Sequence, residues 1–155
     1  MALQDTVDAA DAVVVILNAV AVPAMPEAVT FARTFIPEFE ADDLANLSEV
    51  AKGVVVPGGF ESSPASRVTD TENHIIEVGL GRTLDNETTD IDAQLLMVES
   101  VIRRIRKPAH QVITLPGDEN TLQYIGTEVA AFFVPALLTK RIALSVVRFT
   151  YRGFN

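Results

Sequence analysis

The chain has 155 residues, enough for one domain with its own core and too few for two. It is 48% hydrophobic and 21% charged, a globular composition, and its lack of Cys excludes a disulfide framework, a zinc–thiolate site, an iron–sulfur cluster and a cysteine nucleophile together. With 12 basic against 21 acidic side chains, net −9, general binding to phosphate backbones is not expected.

The charge is segregated along the chain. Residues 1–100 hold four basic and eighteen acidic side chains, net −14, and residues 101–155 hold eight basic and three acidic, net +5. Two outcomes follow. Either the molecule presents oppositely charged surfaces that stack head-to-tail or meet a charged partner, or the fold interleaves the segments and dilutes the contrast.

Leu3, Val7, Ala10, Val14 and Leu17 recur at spacings of three and four with Asp5, Asp8 and Asp11 between them, which predicts an amphipathic helix ended by Pro23 and Pro26. The apolar run Ala12 to Val22, broken by Asn18, is well short of the ~20 residues that span a bilayer. Acidic residues before it oppose a secretory signal, so it is read as a helix of the mature protein, with no membrane partner. Val29 to Phe39 predicts a strand fading at Pro37, with Asp42 and Asp43 in the next turn. Leu47 to Val56 predicts a second strand, ended by Pro57-Gly58-Gly59, and residues 60–71 read as a polar surface loop available to a partner. A third strand spans His74 to Leu84, with Ile76, Val78 and Leu80 on one face and Ile75, Glu77 and Gly79 on the other.

The clearest predicted element is a helix from Asp90 to Lys107, with Ile91, Leu95, Val98, Ile102 and Ile105 along one face and Val101 beside them. Thr89 and Asp92 are spaced as a capping box, and Arg103, Arg104, Arg106 and Lys107 fill the last turn before Pro108. That basic cluster suits either a helix C-terminus or a phosphate or partner site. Short strands follow at Gln111 to Leu115 and, after a turn at Pro116-Gly117-Asp118, at Leu122 to Phe133; Pro135 to Lys140 interrupts the pattern. From Ile142 the apolar set is Ile142, Leu144 and Val146, then it changes parity to Val147, Phe149 and Tyr151. A bulge near Val146-Val147 or burial of both faces would account for the change. The expected fold is α/β in the α+β sense, a single domain over 1–155 with one mostly antiparallel sheet carrying two helices on one face.

The chemical inventory is sparse. His74 and Glu77 fall on opposite faces of a strand, and His110 follows the basic helix end as a solvated residue. Ser62, Ser63 and Ser66 lie in the predicted loop without a Gly-x-Ser-x-Gly elbow. Gly79-Leu80-Gly81 lacks the third glycine and the helix of a dinucleotide fingerprint, and no phosphate-loop motif is present. No catalytic, cofactor or metal residues are assigned, and a structural or interaction role is favoured over an enzyme.

Three pieces in this order carry a resemblance: the acidic helix leading to Thr34-Phe35-Ile36-Pro37-Glu38-Phe39; Asp43-Leu44-Ala45-Asn46-Leu47 running into a Val-rich strand; and Phe133-Val134-Pro135-Ala136-Leu137-Leu138, Arg141 and Ser145-Val146-Val147-Arg148-Phe149-Thr150-Tyr151-Arg152. The layout resembles the tail terminator (tail completion) proteins of tailed bacteriophages. The resemblance implies a sheet with helices on one face, assembled as a hexameric ring that caps the tail tube and meets the neck or connector. It implies a virion location after assembly in the host cytoplasm, and brings no catalytic residues. Six copies at −9 would carry a formal charge of about −54, which suits a lumen through which DNA slides without specific binding. The candidate subunit or partner interface is Phe132 and Phe133, where either one leaves its own core to pack on a neighbouring subunit or both are buried within the monomer, with Arg103, Arg104, Lys140 and Arg141 of the basic C-terminal third. Another neck, connector or tube protein of the same build is the alternative, a tube protein being marked by long hairpins and self-stacking. A small acidic ligand-binding domain or enzyme would instead show a pocket with convergent polar groups.

Overall fold

The computed structural model describes residues 2–20, 24–35, 51–64, 70–116 and 121–154. The elements are α1 (Ala2–Asn18), β1 (Phe31–Arg33), β2 (Lys52–Pro64), β3 (Asp70–Thr83), α2 (Glu87–Ile105), a 3-10 turn (Pro108–His110), β4 (Val112–Thr114), β5 (Thr121–Ala131), α3 (Pro135–Leu138) and β6 (Ile142–Phe154). The six strands form one sheet in the order β1-β2-β3-β6-β5-β4. Only β1 and β2 run parallel; every other pair is antiparallel. The expected mostly antiparallel α+β fold is therefore present, with α1 and α2 on one face.

That face holds the main core. Ala9, Ala10, Val13 and Leu17 of α1 and Met97, Val98, Val101 and Ile105 of α2 close over Val55, Ile76, Val78, Leu80, Val147, Phe149 and Tyr151. Burying an aliphatic or aromatic side chain of this size contributes about 1.5–3 kcal/mol before entropy is counted, so this layer is the main source of stability. A second, smaller cluster lies on the opposite face, where Val134 and Leu137 beside and within α3 cover Val54, Val56, Ile142 and Leu144. Gly79 pairs with both Val54 and Val146, so a residue without a side chain makes room for this cluster. The parity change in β6 is thereby explained. Its register with β3 is unbroken from Ile142 to Phe154, and its odd residues face the helices while its even ones face the other side. Burial of both faces is correct; the irregularities belong to β5, at Ile125 and at Ala130.

Most element ends shift by a few residues, Pro135–Leu138 forms a short helix, and the largest departures are at the end of β2 and the start of α2. Pro57-Gly58-Gly59 does not end β2 but forms a bulge with Gly58 as the extra residue, and residues 60–64 continue as strand against 70–74. Past Val55, β2 has no outer neighbour among the described residues, and a bulge on such an edge tolerates proline. The polar stretch is thus a long β2–β3 hairpin; its tip at 65–69, like the turn at Asp42-Asp43, Gly117-Asp118 and the strand ends expected at 36–39 and 47–50, lies outside the described residues. In α2 the cap falls at Asn86 rather than Thr89. The Asn86 side chain accepts from the Thr89 N–H at 3.2 Å, and Asp90 accepts from the Asp85 and Asn86 N–H groups at 2.8 and 2.9 Å.

Asn18, which interrupts the apolar run, has a role at the sheet edge. Its amide donates to the Phe31 carbonyl and accepts from the Phe31 N–H, both at 2.8 Å, and so replaces a missing strand beside β1. Opposite Phe31 sits Gly53, where a Cβ would stand 2.4 Å from a Phe31 ring carbon. Gly53→Ala is expected to lower the unfolding free energy by about 2 kcal/mol through this overpacking, measured by urea denaturation.

His74 is fully buried beside the Phe60 ring, with Nδ1 2.8 Å from Thr6 Oγ1 and Nε2 3.6 Å from Glu72 Oε2. Burial pushes its pKa below the ordinary 6.5, against the opposite pull of the Glu72 and Asp5 carboxylates. The unfolded chain therefore takes up a proton that the folded chain resists. Stability should fall as pH drops below about 6.5, by up to ~1.4 kcal/mol per unit, and His74→Gln should flatten that slope in urea titrations between pH 5 and 7.5.

Candidate interaction surface

The rotation of α2 decides what the surface offers. The hydrophobic pattern places Ile91, Leu95, Val98, Ile102 and Ile105 along the buried face with Val101 beside them; Val98, Val101 and Ile105 are buried as expected, but Gln94, Met97 and Arg104 are buried in place of Ile91, Leu95 and Ile102. At 3.6 residues per turn this is a turn of about 80°. Two polar residues hold the helix there. Gln94 accepts from Arg82 Nε at 2.7 Å and donates to the Leu80 carbonyl and Ser145 Oγ at 2.8 and 3.0 Å. Arg104, 5% exposed, donates to the Leu17 and Ala19 carbonyls at the end of α1 at 3.3 and 2.9 Å.

Arg82 is the centre of this arrangement. It is 3% exposed and its two terminal nitrogens reach the Glu27 carboxylate at 3.2 and 2.6 Å. Ser145 Oγ in turn donates to the Phe132 carbonyl at 2.6 Å. The line Glu27–Arg82–Gln94–Ser145–Phe132 crosses under α2 and fixes where the chain leaves β5.

Because α2 is turned, Leu95 lies exposed on its flank and Ile102 sits half-buried at the margin of the core. With Val129 and Phe132 they floor an open groove of about 410 Å³, and Glu99, Arg103 and Arg106 stand around it. Phe132 is 56% and Leu95 37% exposed. Beside the groove, β5 pairs with β4 only over Thr121–Gln123, so its later outer edge has no strand neighbour among the described residues.

The six candidate interface residues separate. Phe132 and Arg103 meet at this groove, Arg103 also pairing with Glu99 one turn back. Phe133 is half-buried. Lys140 is exposed after α3, which packs on the other face of the sheet. Arg104 is taken into the fold by the α1 carbonyls and is withdrawn as an interface residue. Arg141 is a clamp: at φ 59° its side chain donates to the Leu84 and Asp85 carbonyls at 2.9 and 3.3 Å, and its own carbonyl accepts from the Leu84 N–H at 2.8 Å. Leu95, Ile102 and Val129 were not foreseen at the surface; the adjacency of Phe132 and Phe133 and the basic helix end were the available signals.

His110 and Glu77 make contacts within the fold, Ser62 and Ser63 lie in β2, and Ser66 is outside the described residues. His110 is not freely solvated, since its Nδ1 lies 2.7 Å from the Arg104 carbonyl oxygen. Glu77 does point away from His74, and it pairs with Arg148 at 3.0 Å directly across β3 and β6. This contact joins the acidic and basic segments of the chain in one sheet. Among the described residues no three His, Asp or Glu side chains are grouped to hold a metal ion, and no helix is long and apolar enough to cross a membrane. No protein-family model matches the chain, and neither does any curated protein.

Removing Arg82 leaves Glu27 and Gln94 without their buried partner. Arg82→Ala is expected to cost about 3 kcal/mol of stability, read from denaturant midpoints, whereas the exposed Arg103→Ala should stay within about 0.5 kcal/mol.

Proposed function

We infer that the protein is a structural component of a phage tail that assembles as a ring, caps the tail tube and joins it to the neck or connector. The observation that carries this reading is the placement of the closing segment of the resemblance. Val134 to Leu138 and Ser145 to Arg152 lie in and around α3 and the central strand β6, within a single sheet that bears both long helices on one face, the architecture the resemblance implies. The half-exposed Phe132 over an apolar, basic-rimmed groove supports self-association. In such a ring the tube protein and the neck or connector protein are the neighbours, DNA passes through the lumen without specific contacts, and no enzymatic step is involved.

One feature favours the second reading, a tube protein. The β2–β3 hairpin, with strands of 13 and 14 residues, is the long hairpin that self-stacking tube subunits use. The two readings separate in one experiment. Purified protein added to growing tail tubes should bind one end and stop elongation, seen by negative-stain electron microscopy, and should stay a discrete particle by itself. Spontaneous growth into open tubes in isolation would replace the capping role with the tube role.

A further inference from the structure

We propose that the α2–β5 groove receives the outer face of helix α1 from a second copy of the chain, a head-to-tail contact that rests on the ring reading and supplies its interface. Two surfaces of complementary character lie on the neighbouring helices α1 and α2, facing different ways. Helix α1 packs over β1 and β2 and turns Asp8, Asp11 and Val15 away from its buried residues, with Val15 68% exposed and Phe35, 67% exposed, just past β1. On the β5 side of α2 is the groove floored by Leu95, Ile102 and Phe132, with Arg103, Arg106 and the Arg103-paired Glu99 around it, a rim of net positive charge.

Charge selects the pairing. Among the described residues Asp8 and Arg106 take part in no ion pair, while Asp11 and Arg103 have only the solvent-exposed partners Arg33 and Glu99. Laying α1 on α1 would set aspartate against aspartate, and groove on groove would set arginine against arginine. Only the mixed contact matches acid with base and covers Val15 and Phe132 together. α1 and α2 pack against each other on one face of the sheet, the α1 surface points away from that face and the groove opens on the β5 flank of α2, so the two cannot meet within one molecule. A contact of this kind is heterologous: every copy offers one surface and receives the other, which generates a closed ring when the rotation between copies closes.

The polarity gives a decisive test by light scattering. The wild-type chain should have a mass above the monomer's 16.8 kDa that rises with concentration and falls with salt. Asp8→Arg with Val15→Arg disables the offered surface, and Phe132→Asp with Arg106→Glu disables the groove. Each variant alone should be a folded monomer by mass and circular dichroism. An equimolar mixture should give a 1:1 complex of twice the monomer mass and nothing larger, because each partner keeps one working surface. A monomeric wild type, either variant retaining its oligomer alone, or a mixture that stays monomeric or grows past two copies would overturn the proposal. If a double variant loses its fold, Val15→Ser and Phe132→Ser carry the same test through the same outcomes. Should the mixture behave as expected while tail tubes remain uncapped, the capping reading falls and the interface stands.

Discussion

The structure depends on one guanidinium held out of water. Arg82 sits inside the sheet–helix layer, and a charge in that position is tolerated only when every donor has an acceptor. Glu27 satisfies one side of it and Gln94 the other, and Gln94 can do so only with its own face of α2 turned to the sheet. The demand of a buried charge therefore outranks the amphipathic pattern of the helix. Leu95, which simple burial would draw inward, is displaced to the flank and Ile102 to the margin of the core, and the groove exists because the charge is satisfied.

Much of the architecture could be read from alternation. Ile76, Val78 and Leu80 face the helices as their spacing dictates, and the shift of parity in β6 left a bulge or burial of both faces open, of which the unbroken register with β3 selects the second. What periodicity cannot weigh is partnership. Gln94 and Arg104 look like surface residues in any hydrophobicity pattern, yet they are buried because carbonyls and a guanidinium from distant segments, up to 87 residues away, are there to receive them. The same blindness made Pro57-Gly58-Gly59 look like a terminator. Those residues break a strand within a sheet, but at an edge they only bend it.

The interaction surface was legible in outline. Two adjacent phenylalanines in an extended segment point in opposite directions, which left two outcomes open, one residue leaving the core or both buried on the two faces of the sheet; Phe132 is exposed and Phe133 half-buried. Which one leaves the core depends on the Ala130 bulge and on the hydrogen bond from Ser145 to the Phe132 carbonyl, neither of which has a local sequence signature. The basic cluster after α2 divides in a similar way. Arg104 is spent within the fold and Arg103 and Arg106 remain outside, because the α1 carbonyls lie on only one side of the helix.

The position of β6 has a consequence for how the chain reaches this state. It is the last strand in sequence and lies between β3 and β5 at the middle of the sheet. Until residues 142–154 are in place, β3 and β5 each present an open edge and Ile76, Val78 and the α2 core residues lack the Val147, Phe149 and Tyr151 layer. No shorter N-terminal fragment can close the sheet, and β6 must enter between two strands rather than add to one border. Such an entry makes folding slow and dominated by distant pairings, and leaves a premature chain with two sticky borders in place of one finished surface.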